Sequence, residues 1–360
     1  MASAYFRAGE NFTPGETRPV QWEFKAMSGH RTLLKAAART VLHRLGGLAF
    51  LRRRRRADFR ILMYHRFPGD LETRQSLEAQ CAEFRRCYHP VSLAEIGNSV
   101  HTGQPLPPRA LAITVDDGYR DFLDHGFPVF EAYGLPVTVF VVSDFLDGLS
   151  WLWTDVLSHS IACTAHTAFR WEMQPGAPPV SFTLEGKAAR EAAARHLIEA
   201  AKKLPNHDRL RMVHALPELL EVALPPRPPA PYQPLHWDEV RELAGRGVEF
   251  GAHTKTHPIL ARMERDGQRF EIEHSKRRLE QELGAQVLHF CYPNGGPDDF
   301  DQTTVGCVAA SGFRTATTTT PGLNRAGADP WLLKRFGMEP GSPLDFALER
   351  VEGLHDEWVR

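Results

Sequence analysis

The stretch LAITVDDG, residues 111–118, joins a short apolar run to two adjacent aspartates and a glycine. A brief, nearly uninterrupted apolar run that ends in a turn signal is typical of a strand buried on both faces. Asp116 and Asp117 at the end of such a strand would repel each other, so a cation or a shared proton is expected beside them. Asp-Gly is also a common turn pair, and a plain turn is the simpler interpretation of this stretch taken alone.

Similar apolar runs recur along the chain, and helical patterns lie between most of them. This alternation indicates βαβ units, in which near-continuous apolar strands form a parallel sheet covered by helices. We therefore predict an α/β fold, a distorted (β/α) barrel of about seven parallel strands with its chemistry at the carboxyl ends of the strands. The predicted strands are residues 60–65, 111–116, 136–142, 248–252, 287–292, 313–317 and 332–336.

One segment, residues 147–234, interrupts this alternation. Its patterns are helical and it closes with the proline-rich run PPRPPAPYQP at 225–234, so we predict a helical insertion. The insertion could shape a substrate cleft or could be a lid-like addition, and the sequence favours neither. The other predicted parts are a flexible N-terminal extension at 1–26, a basic amphipathic helix at 27–58, the barrel at 59–350 and a tail at 351–360.

The overall composition is that of a folded globular protein. With 42% apolar and 24% charged residues, the disordered and fibrous classes are excluded. The longest uncharged stretches are far shorter than the roughly 18 apolar residues of a membrane-spanning helix, and no signal peptide is visible. The five cysteines form no CxxC pair, which argues against a zinc knuckle or a disulfide framework. A cytoplasmic location is therefore expected.

Positive charge is concentrated near the N-terminus. Residues 31–60 contain ten Lys or Arg and one acid, although the whole chain has a net charge of −1. Apolar residues at helical spacing precede an arginine run at 52–56, which indicates a basic amphipathic helix. Through residues 31–56 it could lie on an anionic surface such as the inner membrane face, or pack on the domain with a solvated arginine tail. Nucleic acid is not expected as a partner, because no aromatic residues interleave the arginines.

A second motif, HTKTH at 253–257, follows another predicted strand. Two histidines four residues apart lie on one side of a helical turn and can bind one ion, although chance or core packing also explains such a pair. If both motifs end barrel strands, one Asp and two His can meet on a single divalent metal that keeps open positions for water and substrate. Zinc is the expected ion, with cobalt, nickel or iron as alternatives.

A third motif, FCYPNGG at 290–296, ends the next predicted strand. Its Pro, Asn and Gly form a tight turn whose backbone amides, that of Asn294 among them, could stabilise an oxyanion. Taken alone, the motif is simply a turn.

Together the motifs and the strand order resemble the polysaccharide deacetylase family, metal-dependent carbohydrate esterases that remove N-acetyl groups from aminosugars. The resemblance covers about residues 59–338 and points to the branch whose first strand ends in Tyr-His, here Tyr64-His65. It implies a distorted barrel of parallel strands with Asp116 as the general base. It also implies Asp117, His253 and His257 as the metal ligands.

Two departures from the family pattern concern the groups around the base. Cys291 stands where many members have an arginine that pairs with the base, and a later Asp-Trp motif is not evident. Another cation must then hold Asp116. Arg335 is the first candidate and Arg66 the second, although either could equally form a surface or structural ion pair.

The catalytic acid is the second open assignment. The usual C-terminal Leu-x-His motif of the family has a possible match at His355, but this residue lies in a polar tail almost at the terminus. We favour His65, because it ends the first barrel strand and would face the same cleft as the base. The alternative for His65 is a buried structural histidine.

The expected function is a metal-dependent hydrolase that removes N-acetyl groups from an aminosugar-containing polysaccharide or its precursor. An amidase or deformylase acting on a small or lipid-linked aminosugar would use the same site. A noncatalytic carbohydrate-binding relative is disfavoured, because the base Asp116 and the three ligand residues are all present.

Overall fold

The computed structural model of the chain describes residues 47–174 and 176–354. The predicted N-terminal extension, most of the predicted basic helix, and His355 lie outside the described residues. The strands are β1 (Arg60–Tyr64), β2 (His89–Pro90), β3 (Ala110–Val115), β4 (Val137–Val141), β5 (Ala168–Trp171), β6 (Val180–Thr183), β7 (Glu249–Ala252), β8 (His289–Cys291), β9 (Thr315–Thr317) and β10 (Phe336–Gly337).

Helices fill most of the intervals between the strands. They are α1 (Gly47–Arg54), α2 (Leu71–Cys87), α3 (Leu93–Thr102), α4 (Phe127–Ala132), α5 (Ser143–Leu146), α6 (Trp153–Cys163), α7 (Gly186–Ala201), α8 (Asn206–Leu219), α9 (Trp237–Gly245), α10 (Arg265–Leu283), α11 (Gln302–Ala310) and α12 (Leu344–Val351).

The main sheet runs in the order β10-β1-β3-β4-β7-β8-β9, and every pair along it is parallel. Short strand β2 pairs with β3 beside this path. Leu333, just before β10, forms a parallel bridge with Thr317 of β9. Residues 333–337 therefore contact β1 at one end of the sheet and β9 at the other, which curls the sheet into a distorted barrel. The predicted fold class is therefore confirmed. The last predicted strand, 332–336, was placed too early, because β10 begins at Phe336 and only Phe336 and Gly337 pair with β1.

Burial explains why the inner strands have almost no polar residues. All five residues of β1, all six of β3 and all five of β4 are buried, because helices cover one side of the sheet and the barrel interior covers the other. Parallel pairing brings the carboxyl ends of these strands to one rim of the barrel. His65, Asp116 and His253 each follow directly on the last residue of a strand at this rim.

The segment 147–234 differs from the prediction of a purely helical insertion. It contains helices α6 to α8 and also an antiparallel hairpin, β5 with β6. The hairpin belongs to a hydrophobic core separate from that of the barrel, in which the rings of Phe169 and Phe182 stack at 4.8 Å. Each strand has only four residues, which is too short for an alternating pattern to stand out from the neighbouring helical patterns.

Helix α1 packs against the barrel through Leu48 and Arg52, both of which are buried. The Arg52 guanidinium donates hydrogen bonds to the Tyr88 hydroxyl at 3.2 Å and to Cys87 Sγ at 3.0 Å. On the outer side, 64% of Phe50 is exposed. None of the helices in the described residues combines the length and the apolar content that crossing a bilayer requires.

Candidate active site

A tight turn after β3 separates the two adjacent carboxylates. Asp117 has a φ of 75° and Gly118 a φ of 84°, both in the left-handed region. Glycine is required at 118, because a Cβ there would lie 2.9 Å from Cγ1 of Val141. The turn directs Asp116 toward Arg335 and Asp117 toward the histidines, so the two acids have different partners.

Backbone strain is concentrated in the three motifs. Of the six non-glycine residues with positive φ in the described part of the chain, four lie in these motifs: Asp117, Thr254, His257 and Asn294. Each such residue costs on the order of 1–3 kcal/mol and persists only where its surroundings fix it, which is common at functional sites.

Asp117, His253 and His257 form a compact set of donor atoms. Asp117 Oδ1 lies 3.5 Å from Nε2 of His253 and 3.4 Å from Nε2 of His257. Ligand atoms that bind one zinc ion tetrahedrally at about 2.0–2.1 Å are themselves about 3.3 Å apart. The spacing therefore fits a divalent ion, and the three residues are one of two ligand groups found in the described residues.

Hydrogen bonding and burial prepare both imidazoles for this role. Nδ1 of His253 lies 2.7 Å from the carbonyl oxygen of Cys291, which can only accept, so Nδ1 carries a proton and Nε2 faces Asp117. Burial would lower the pKa of His253, but the negative groups around it, Asp117 among them, raise the pKa, so a bound ion would displace a proton from Nε2. Burial and the neighbouring His253 lower the pKa of His257 to about 3, so its ring is neutral at physiological pH. A metal ligand must be neutral in this way.

Asp116 forms a buried, bidentate ion pair with Arg335. The two terminal guanidinium nitrogens donate to the two carboxylate oxygens, each at 2.7 Å. The same guanidinium donates to Thr318 O at 2.9 Å, to Thr114 Oγ1 at 3.0 Å and to Cys291 Sγ at 3.0 Å. Burial alone would raise the pKa of Asp116, but Arg335 outweighs it and lowers the pKa, so the carboxylate is ionised.

The other candidate cation, Arg66, lies elsewhere. Its Nε donates to Asp121 Oδ2 at 2.7 Å, and its guanidinium carbon lies 3.9 Å from the centre of the Tyr119 ring. Arg66 is therefore part of a structural ion pair, which was the alternative interpretation for this residue. Arg335 is the cation in contact with Asp116.

His65 lies beside the base at the rim of the barrel. Its Nε2 is 3.7 Å from Asp116 Oδ2, and 41% of its side chain is exposed. This position is close to the Asp116 carboxylate and accessible from the solvent, unlike that of a buried core histidine.

The FCYPNGG motif forms the turn that the sequence indicates. Asn294 has a φ of 59°, and its carbonyl oxygen accepts a hydrogen bond from Thr319 Oγ1 at 2.6 Å. Its side-chain Nδ2 is buried and has no hydrogen-bond partner in the described residues. A buried, unpaired amide donor is costly unless a ligand satisfies it.

Sequence analysis missed Glu271 of α10. Its carboxylate accepts hydrogen bonds from the backbone N–H groups of Lys255 and Thr256 at 2.9 and 2.8 Å, and from Thr256 Oγ1 at 2.7 Å. It therefore fixes the loop between the two histidines. Nothing in the sequence distinguishes Glu271 from the other acids of a highly charged helix.

Comparisons with known proteins identify the family of the chain. A family model described as polysaccharide deacetylase matches residues 103–316, more than half of the chain. The poly-β-1,6-N-acetyl-D-glucosamine N-deacetylase of Escherichia coli K12 is 38% identical over 60 residues, which is 17% of this chain and only 9% of that protein.

Two solved structures show the same fold. The Streptococcus pyogenes deacetylase PplD in complex with acetate has a TM-score of 0.53 at 16% identity, over 82% of this chain and 98% of that one. A de-N-acetylase from Aggregatibacter actinomycetemcomitans has a TM-score of 0.51 at 14% identity, over 79% and 97%. From the extent of the family match, the chain belongs to the polysaccharide deacetylase family.

Proposed function

We propose that the chain is a metal-dependent enzyme that removes N-acetyl groups from an aminosugar glycan. The observation that carries this proposal is the spacing of Asp117 Oδ1 and the two histidine nitrogens, 3.4 and 3.5 Å, beside the ion-paired Asp116. Asp117, His253 and His257 would hold a divalent ion, which we expect to be zinc. When bound, such an ion polarises the substrate carbonyl and lowers the pKa of water.

The remaining roles are assigned to residues around this centre. Asp116, held ionised by Arg335, accepts the proton of the attacking water. The Asn294 backbone amide donates to the oxygen on which negative charge develops. His65, 3.7 Å from Asp116, protonates the amine as the C–N bond breaks. Arg335 orients Asp116 through its two parallel hydrogen bonds.

The substrate class rests on the family and on the short match to an enzyme named for poly-β-1,6-N-acetyl-D-glucosamine. We propose an N-acetylated aminosugar polymer or its lipid-linked precursor as the substrate. The exposed outer face of α1, with Phe50, Arg53 and Arg54, suits an anionic membrane surface, and we propose it as a membrane contact of the chain.

The test is acetate release from N-acetylglucosamine oligomers and from a lipid-linked aminosugar, combined with metal analysis of the purified protein. His257→Ala should lose both the metal and the activity, whereas His274→Ala, a substitution in α10, should lose neither. Release of formate from N-formyl sugars in place of acetate would favour the deformylase alternative. Equal metal content and activity in the parent and His257→Ala would overturn the proposal.

A further inference from the structure

The insertion contacts both metal-ligand motifs through the first turn of helix α6. Trp153 donates its Nε1–H to the backbone carbonyl of His257 at 3.0 Å. Two residues later, Asp155 Oδ2 accepts a hydrogen bond from the hydroxyl of Tyr119 at 2.7 Å. Tyr119 lies two residues after Asp117, so one helical turn contacts both loops that carry the ligands.

Backbone hydrogen bonds join the end of the insertion to the same turn. Leu235 N–H donates to Gly118 O, and Arg120 N–H donates to Gln233 O, both at 2.9 Å. These bonds flank Tyr119, which forms an antiparallel bridge with Pro234. The proline-rich run therefore ends as a short strand-like pair beside the Asp116-Asp117-Gly118 turn.

The insertion core also surrounds the chain that follows His257. Ile259 is buried in the hydrophobic cluster of the insertion and not in that of the barrel. Arg209 of α8, itself buried, lies with its guanidinium carbon 5.2 Å from the centre of the Trp153 ring. The Trp153 ring, which donates to the His257 carbonyl, thus also packs against Arg209.

We infer that the insertion, residues 147–234, is part of the metal-binding apparatus, with Trp153 and Asp155 as positioning residues for His257 and Asp117. This inference rests on the proposed metal-dependent function. Asp117 and His257 both have left-handed backbones, which persist only where surrounding contacts fix them. The barrel strands hold the chain before each ligand loop, and α6 holds each loop from the other side.

The experiment measures the Zn²⁺ dissociation constant by competition with a chromophoric chelator, and the visible spectrum of the Co²⁺ form. Trp153→Phe keeps an aromatic ring at this position and removes the indole N–H that donates to His257 O. Removing a residue that hydrogen-bonds to a metal-binding residue typically weakens metal binding about 10- to 100-fold. We expect a loss of Zn²⁺ affinity of this order, together with a changed Co²⁺ spectrum. Trp171→Phe is the matched control, because Trp171 is also buried in the insertion and its Nε1 has no partner in the described residues.

A second pair of variants keeps the test independent of Trp153. Asp155→Ala removes the acceptor of the Tyr119 hydroxyl and should weaken Zn²⁺ binding about 10-fold or more. Asp155→Asn retains an acceptor oxygen and should stay close to the parent. Parental affinity in both Trp153→Phe and Asp155→Ala would overturn the inference alone. A parent protein that binds no Zn²⁺ would overturn the proposed function, and the inference with it.

Discussion

Asp116 and Asp117 are sequence neighbours whose side chains have different partners. Asp116 is hydrogen-bonded to Arg335, and Asp117 Oδ1 lies 3.4–3.5 Å from the Nε2 atoms of the two histidines. Asp116→Asn should therefore retain metal and lose about 100- to 10,000-fold in turnover, since it removes a general base. Asp117→Asn should lower metal occupancy as well as turnover. Metal analysis and acetate release on the same samples check this, and a loss of metal confined to Asp116→Asn would show that the roles are reversed.

His65 is predicted to protonate the departing amine. His65→Ala should reduce turnover of an unactivated N-acetyl sugar about 100- to 10,000-fold while metal content and folding stay unchanged. A substrate whose leaving group needs no proton should be hydrolysed at nearly the parental rate. The comparison of the two substrates in stopped assays is the measurement. Equal losses on both substrates would mean that His65 acts in some other way than as an acid.

The sequence could predict these residues because each follows a strand end, which parallel topology brings to one rim. Arg335 was harder to assign, because the strand-like run that contains it gives no sign of which way its side chain points. This chain lacks an arginine at 291, and Asp116 instead takes its cationic partner from Arg335, just before β10, whose guanidinium also donates to Cys291 Sγ. The sequence indicated that another cation must pair with Asp116, but a single sequence does not show whether Arg335 or Arg66 reaches it.

At the scale of elements, helix α10 stabilises the loop between the histidines through Glu271. Glu271→Ala removes both acceptor oxygens, so all three hydrogen bonds to the loop are lost. We expect Zn²⁺ affinity to fall about 10-fold, a typical effect for a partner of a ligand loop. Glu273→Ala is the control, because residues two apart in a helix point to different sides. Titration with a competing chelator measures both, and equal losses would assign the effect to the helix as a whole.

The elements that the sequence missed share one property, which is short length. Strand β2 has two residues, and the strands of the β5–β6 hairpin have four each. Periodicity needs more residues than this to separate a strand from a helix or loop. Strands β1 and β3 were predicted close to their observed bounds, because every residue in them is buried and their sequences are therefore almost continuously apolar.

For the whole molecule, one buried acid makes stability depend on pH. Burial raises the pKa of Glu339 to about 7, and the charge of Arg350 offsets this only in part. The folded state then holds the proton more tightly than the unfolded chain, so stability falls as pH rises from about 4.5 to about 7. Glu339→Gln should raise the free energy of unfolding at pH values above about 7 by at most about 3 kcal/mol, and should change it little near pH 4.5. Urea unfolding across this range is the measurement, and a pH-independent difference would contradict the prediction.

Membrane binding is predicted to depend on the outer face of α1 and the residues after it. Arg52 is buried, so the test must leave it intact and replace the exposed Arg53, Arg54 and Arg56 by Gln. At about 1 kcal/mol for each basic residue, partitioning onto phosphatidylglycerol vesicles should fall about 100-fold and should weaken with salt in the parent. The control replaces three exposed arginines elsewhere, Arg74, Arg85 and Arg269. Cosedimentation that is equal in both variants would leave α1 as a packed helix only.

Helix α1 lies at the amino-terminal end of the barrel, opposite the rim that carries Asp116 and Asp117. Arg109, the residue before β3, donates its backbone N–H to Arg56 O at 2.7 Å, whereas Asp116 follows the other end of the same strand. The six residues of β3 span about 20 Å. A bilayer bound by α1 would therefore lie at the amino-terminal end of the barrel. The rim that carries Asp116 would face away from the bilayer, toward the aqueous phase. Tethered in this orientation, the enzyme would not reach a sugar joined directly to a lipid of the same leaflet, and would act on units farther along a glycan or on chains presented from another surface.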